Sequence, residues 1–217
     1  MNHRTAYSVA IVIWVLIAIY SAVTYQRLPE MVVTHWDING KPDGWSPRMV
    51  AAVMMPTITV LLIGLLWAMG HFWKDALPSE KAKDAYAHIV VLMTAFMAYI
   101  QALILDSAVD PKTQFGKLFT VGIAVFFFGL GYVIRDVPPN QLMGFRTPAT
   151  IADPVLWRQV HEAGGKIMMY FALAAFVGAL IGLPFWAPLG LAVLGSLAPL
   201  PYMIALTKRR KMARTPE

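Results

Sequence analysis

Six long apolar segments constrain this chain more than any other feature of its sequence. A membrane-spanning helix needs about 20 predominantly apolar residues. Six segments of the 217-residue sequence meet that length: Ala6–Tyr25, Met49–Gly70, Tyr86–Leu105, Gly116–Ile134, Ile167–Trp186 and Leu189–Thr207. Only 14% of the residues are charged, against roughly 25% in soluble domains. The sequence therefore predicts an all-α polytopic membrane protein with six transmembrane helices.

The distribution of Lys and Arg predicts how these helices are oriented. Of the 18 basic residues, 13 lie on the side of the N-terminus, in the segments that alternate with the apolar ones. Basic residues favour the cytoplasmic side of a membrane, so both termini are predicted to lie on the cytoplasmic side of a multi-pass protein of the cell membrane. The first apolar segment is expected to be a retained helix, because it is too long for a signal peptide. The net charge of +6 is better explained by anionic lipid than by nucleic acid.

The loop after the first segment, Gln26–Arg48, is predicted to form a small extracellular hairpin. Its residues Met31–Ile38 favour a strand, Asn39-Gly40 is a typical two-residue hairpin turn, and Asp43-Gly44 predicts a second turn. Trp36 and Trp45 either cover each other or lie at the lipid headgroups. A peptide- or ligand-binding surface is the alternative for the same loop.

His35 and Asp37 belong to residue types that bind metals, but two such residues are weak grounds for a metal site. An ordinary hydrogen-bonded histidine is the better interpretation, and no metal site is predicted.

The longest polar interval, Arg135–Lys166, is predicted to be an ordered cytoplasmic loop between the fourth and fifth spans. Its prolines forbid one continuous helix. Asp153 followed by Pro154 predicts a helix start, and Gly164-Gly165 predicts its end after about Ala163.

Trp157 and His161 share a face of this predicted helix, because they are four residues apart. Arg146 is either a gate, a clamp on lipid phosphate or a partner for a carboxylate, with Asp153 and Glu162 as the candidate acids.

The same loop resembles a known family. The run Asn140 to Pro148, which contains Gly-Phe-Arg-Thr-Pro, followed by Trp157, His161 and Gly164-Gly165-Lys166, resembles the signature of the SdpI family of bacterial immunity proteins. Upstream, Leu28-Pro29, His35-Trp36, Gly40 and Asp43-Gly44-Trp45 resemble an uncharacterised N-terminal domain that is often fused to such proteins.

The resemblance implies a function and two sets of candidate residues. Such proteins protect a bacterium from a secreted membrane-active peptide toxin, and some relay its presence by recruiting a transcriptional repressor to the membrane. The candidate toxin- or ligand-binding residues outside are His35, Trp36, Asp37, Gly40, Asp43 and Trp45. The candidate signalling residues inside are Gly144, Phe145, Arg146, Thr147, Pro148, Trp157, His161, Gly164 and Gly165.

The chain divides into three parts on this interpretation. Residues 1–70 form an N-terminal two-helix unit, 71–115 a linker with the third helix, and 116–217 the SdpI-like region.

Several chemistries are disfavoured by what the sequence lacks. There is no cysteine, which excludes disulfides and thiol catalysis. No nucleophile elbow, phosphate-binding loop, zinc-protease motif or carboxylate pair occurs, so neither catalysis nor a cofactor is predicted. Two alternatives to immunity remain: a transporter or flippase for an uncharged or lipid-like substrate, and a lipid-modifying enzyme with His161 as acid/base and Arg146 on phosphate.

Overall fold

The computed structural model describes residues 2–212. It consists of a helical bundle with one small β-hairpin. The helices are α1 (His3–Thr24), α2 (Arg48–Phe72), α3 (Glu80–Val109), α4 (Phe115–Arg135), α5 (Pro148–Ala152), α6 (Pro154–Leu180), α7 (Trp186–Leu197) and α8 (Pro199–Met212). Six helical segments among the described residues are long and apolar enough to span a membrane, with α7 and α8 forming the sixth. The prediction of six spans is confirmed, and the chain is a multi-pass membrane protein.

The hairpin lies between α1 and α2. Its strands β1 (Met31–Trp36) and β2 (Pro42–Pro47) pair in antiparallel orientation. We call the end of the bundle that carries residues 28–47 the hairpin face. The opposite end, which carries residues 136–153, is the loop face.

The fifth span differs from the sequence-based prediction because α6 runs without interruption from Pro154 to Leu180. Gly164-Gly165 was expected to end a helix, and that expectation is wrong. A Cβ atom at Gly165 would lie 2.6 Å from the carbonyl oxygen of Gly131 and 2.7 Å from Cα of Arg135, both on α4. Gly165 on α6 and Gly131 on α4 therefore let these two helices approach closely, as small residues do between membrane helices.

The sixth span is broken rather than continuous. α7 ends at Leu197 and α8 begins at Pro199. Pro199 and Pro201 lack the N–H groups that would continue the hydrogen-bond ladder, which accounts for the break at Ala198.

A buried glutamine joins the first three helices. Pro56 lies inside α2 and has no N–H for the carbonyl of Ala52, four residues earlier. Gln101 on α3, which is 1% exposed, supplies a donor instead. Its Nε2 lies 3.1 Å from the Ala52 oxygen, 3.1 Å from the Ala51 oxygen and 3.0 Å from Ser21 Oγ on α1. Gln101 therefore replaces the donor that Pro56 removes from the backbone ladder of α2, at a position where proline favours a kink.

Each face of the bundle carries a contact between segments that are far apart in the sequence. At the hairpin face, the rings of Trp36 and Phe115 stack with centroids 3.4 Å apart. At the loop face, the backbone N–H of Gln141 donates to the carbonyl of Ala76 over 2.9 Å. These two contacts place the hairpin and the signature loop at opposite ends of one bundle.

We expect Gln101→Leu to lower the free energy of unfolding by about 1–2 kcal/mol, because the Ala52 carbonyl loses its donor in an apolar environment. Pro56→Ala restores an N–H for that carbonyl, so the double variant should lose less stability than the two single variants added together. Unfolding of all four proteins in detergent measures the coupling. Additivity within about 0.5 kcal/mol would show that Gln101 does not serve the proline kink.

Candidate functional site

The hairpin loop is organised by Asp37. Its Oδ1 accepts hydrogen bonds from the backbone N–H groups of Asn39 and Lys41, both over 2.8 Å. The Lys41 N–H is the main cause that lowers the pKa of Asp37 below its usual value. Gly40 has φ +76°, which glycine adopts without strain. The predicted hairpin is therefore present, but its connection runs over five residues, 37–41, rather than the two predicted.

His35 and Asp43 lie together on the hairpin. His35 Nδ1 is 2.5 Å from Asp43 Oδ1, and both side chains are largely exposed. The predicted second turn at Asp43-Gly44 is wrong, because both residues belong to β2. Gly44 pairs with His35 where the register shifts, and a Cβ atom at Gly44 would come within 2.9 Å of the His35 Cβ. Glycine thus permits the irregular pairing here.

The two tryptophans of the hairpin have different surroundings. Trp36 stacks on Phe115 at the start of α4, whereas Trp45 is 54% exposed. Phe185, in the turn between α6 and α7, packs against the loop tip, because a Cβ at Gly40 would lie 3.2 Å from its ring. The hairpin is therefore held by two aromatic rings, Phe115 at the start of α4 and Phe185 before α7, whereas Trp45 is exposed.

The candidate signalling residues form a packed cluster at the loop face. His161 is fully buried, and both of its ring nitrogens are bonded to backbone. Nδ1 lies 2.8 Å from the carbonyl oxygen of Trp157, which must accept, and Nε2 accepts from the N–H of Phe145 over 2.9 Å. This pattern requires a neutral imidazole with its proton on Nδ1.

The neighbours of His161 complete the cluster. The Trp157 ring stacks on the imidazole with centroids 4.0 Å apart, and its Nε1 donates to the Val137 carbonyl over 2.8 Å. Gly144 has φ +101°, and a Cβ there would overlap Nε2 of His161. We call the group Gly144, Phe145, Trp157, His161 and Gly164 the signature clasp.

Gly164 belongs to the clasp because a Cβ atom there would lie 2.5 Å from the Phe145 ring. Its neighbour Gly165 faces α4 instead. The glycine pair thus serves two contacts on two sides of α6, one to the loop and one to the next helix.

Thr147 and Pro148 shape the rest of the loop. Thr147 is the N-cap of α5, and its hydroxyl and that of Thr150 each accept from the other residue's backbone N–H. Pro148 occupies the first helical position, where a missing N–H costs nothing.

Arg146 is exposed and donates to the carbonyl of Gln141. The carboxylates considered as its partners bind other cations: Asp153 lies 2.7 Å from Arg210 and Glu162 lies 2.7 Å from Lys166. Arg146 is therefore the charged member of the signature that faces outward from the loop.

The predicted helix start at Asp153-Pro154 is confirmed. Asp153 Oδ1 accepts from the N–H groups of Val155 and Leu156, each over 3.0 Å. The Leu156 N–H contributes most to lowering the pKa of Asp153, and Arg210 lowers it further. Ionised Asp153 thus ties the C-terminal helix to the start of α6.

Comparison with known proteins adds family matches to this geometry. Residues 136–203, which contain the clasp, match the SdpI/YfhL protein family. The family resemblance is confirmed. Residues 12–60 of this SdpI-like chain, which contain the hairpin, match a domain of unknown function, DUF1648. The chain is 23% identical over 164 residues to the immunity protein SdpI of Bacillus subtilis (strain 168), across 74% of this chain and 75% of that protein. No solved structure matches it.

Three residues of the SdpI-like site were missed as candidates. Asn140 is buried and its Oδ1 accepts from the N–H groups of Leu142 and Met143, which folds the loop. Arg210 was counted only among the basic residues on the side of the N-terminus. Phe185 is an apolar residue in a turn, and no sequence pattern singles it out.

His161 cannot serve as the acid/base of the lipid-modifying enzyme that was considered as an alternative. A general acid or base has to reach its substrate, and His161 is buried with both nitrogens engaged. The clasp is a packing and hydrogen-bonding unit of an SdpI-like protein.

We expect Gly144→Ala to lower the free energy of unfolding by about 3 kcal/mol or more, because the added methyl combines a strained backbone with an overlap onto His161. The matched control is Gly182→Ala, whose glycine also has positive φ, +79°, but has open space around it. That variant should lose only about 1–2 kcal/mol. Thermal unfolding in detergent compares the two, and equal losses would contradict the close contact of Gly144 with His161.

Proposed function

We propose that this protein confers immunity against a secreted, membrane-active peptide toxin. The matched relative is named an immunity protein, and the signature of its family forms the clasp at the loop face. The observation that carries the proposal is the arrangement of α6. One end of this helix adjoins the turn that holds Phe185 against the hairpin, and the other end holds the clasp.

This arrangement supports a relay from one side of the membrane to the other. α6 has 27 residues and is therefore about 40 Å long. A displacement of Phe185, in the turn that follows α6, can therefore reach the clasp at the other end if it moves this helix as a rigid element. Close packing transmits such shifts. We assign the hairpin to the outside, where it meets toxin, and the loop face to the cytoplasm, where a repressor would dock.

The cytoplasmic partner would bind the exposed side of the signature loop. Arg146 is exposed there, and at the same face the apolar side chains of Ile151 on α5 and Val155 at the start of α6 are 45% and 47% exposed. Arginine beside apolar side chains is typical of protein interfaces. The buried His161 offers no such surface and would act only by holding the loop.

The orientation can be tested by cysteine labelling, since the natural sequence has no cysteine. Cysteines at the exposed positions Lys41 and Lys112 should react with an impermeant thiol reagent in intact cells, because the basic residues concentrate on the opposite side. Cysteines at the exposed positions Asp75 and Ile151 should react only after lysis. Labelling of Ile151→Cys from outside would place the clasp on the toxin's side and overturn the relay.

Immunity is tested by expressing the protein in a sensitive strain and challenging the cells with a panel of secreted membrane-active peptides. We expect protection against at least one peptide.

Trp45→Ala should weaken toxin binding by roughly 2 kcal/mol, about 30-fold, because large aromatic anchors dominate many interfaces. Trp73→Ala is the control, since this tryptophan is 59% exposed at the loop face.

The relay is tested in the same cells by Arg146→Ala, which should preserve survival and toxin binding but change the output of a repressor-controlled reporter. Lys74→Ala, an exposed cation on the same face, is its control. Membrane abundance is measured for every variant. Equal failure of Trp45→Ala and Arg146→Ala at normal abundance would contradict the division between sensing and signalling. If neither the wild type nor any variant protects cells, and the protein speeds the movement of lipid or solute in vesicles, the transporter alternative is favoured.

A further inference from the structure

A cavity of about 430 Å³ lies beneath the hairpin. Its floor consists of apolar side chains from four helices, among them Met54, Ile104, Phe119 and Leu189. Its roof is the run Thr34–Ile38 from β1 and the hairpin loop. The cavity therefore lies between the two regions that the family models match separately.

The roof borders the cavity along the edge of a strand. Three consecutive residues of β1, Thr34, His35 and Trp36, border the cavity, and the register of the hairpin shifts on both sides of His35. No residue of β2 borders the cavity, which therefore adjoins β1 on the side away from β2. The sheet has two strands within the described residues, so the edge of β1 away from β2 pairs with no strand there. An open edge presents backbone N–H and C=O groups that can pair with an added strand.

The cavity has one formally charged side chain, Asp37, if histidine is counted as neutral. The N–H groups of Asn39 and Lys41 both bind Oδ1 of this carboxylate, while Oδ2 has only a long contact of 3.4 Å to the Asn39 amide. Oδ2 can therefore accept a hydrogen bond from a cation at the mouth of an otherwise apolar site.

We propose that this cavity binds an extended apolar peptide segment that carries a basic residue. The segment adds to the free edge of β1 as a third strand, places alternate apolar side chains in the cavity and pairs its cation with Asp37. A lipid chain would fill the apolar volume but would leave the strand edge without partners. This inference rests on the proposed function, because the peptide toxin is the natural source of such a segment.

The test uses the full chain in phosphatidylcholine nanodiscs and a defined probe, the fluorescein-labelled peptide Lys-Val-Leu-Val-Leu-Val amide. Saturable binding is expected by fluorescence anisotropy. Methylating the backbone nitrogens that face β1 should weaken it by about tenfold or more, since several hydrogen bonds are lost. Replacing the probe's lysine by glutamate should weaken binding several-fold in the wild type but not in Asp37→Asn, which keeps an amide oxygen for the hairpin loop.

A cavity-filling variant separates this site from other apolar surfaces. Met54→Trp should abolish binding because indole occupies the floor. Leu61→Trp is its control, since this residue of α2 is 66% exposed and does not border the cavity. The unfolding temperature of each variant verifies its fold.

Absence of saturable binding, or equal binding of the methylated and unmethylated peptides, would overturn the proposal. Displacement of the probe by lysophosphatidylcholine together with equal binding of the methylated peptide would assign the cavity to lipid.

Survival assays distinguish the failure of this proposal from the failure of the immunity proposal. If Met54→Trp loses the probe but protects cells as well as wild type, the cavity is not the toxin site and immunity stands. If the probe binds as expected but no peptide toxin is resisted, the binding site stands and immunity falls.

Discussion

The fold depends on satisfying backbone hydrogen bonds where water is absent. Each unpaired N–H or C=O in a bilayer costs several kcal/mol, and this chain has prolines within two of its spans. In α2 the Ala52 carbonyl, which Pro56 leaves without a helical partner, is reached by the Gln101 side chain from α3. The Gln101 amide thus replaces the missing donor, and the same amide holds α1, α2 and α3 together near the hairpin face.

The same constraint explains the composition of the signature loop. A segment without regular structure at the end of a bundle needs side chains as partners for its backbone. Asn140 and Thr150 accept from the loop's N–H groups, and His161 accepts from that of Phe145. Gly144 is required where the imidazole leaves no room for a side chain. Residues that are far apart in the sequence motif thus form one cluster, and their identities follow from contacts within it.

The sequence predicts the spans, the hairpin and the start of α6 because each of these depends on local properties. Apolar length predicts a span, a β-prone run followed by Asn39-Gly40 predicts a hairpin, and Asp153-Pro154 predicts a helix start. Contacts between distant residues account for what the sequence does not predict at Gly164-Gly165 and at Gln101. Gly164-Gly165 is typical of a helix end unless Gly131 on another helix is known to lie against it. The partners of Gln101 lie 49 to 80 residues away, so no local pattern could reveal them.

The clasp restricts how a signal can cross the bundle. His161 uses both nitrogens and is buried, so protonation would remove the acceptor for Phe145 and break the loop rather than transmit a graded response. A Cβ atom at Gly144 would overlap His161, and one at Gly164 would overlap the Phe145 ring, so the cluster has no space in which the imidazole could move. A relay through this region therefore requires α6 to move as a body and carry the loop with it. Phe185 connects the hairpin to the bundle, because its ring lies between Gly40 of the hairpin and Gly116 of α4. It also lines the cavity beside β1, so in the proposed relay a ligand bound there would act directly on this ring.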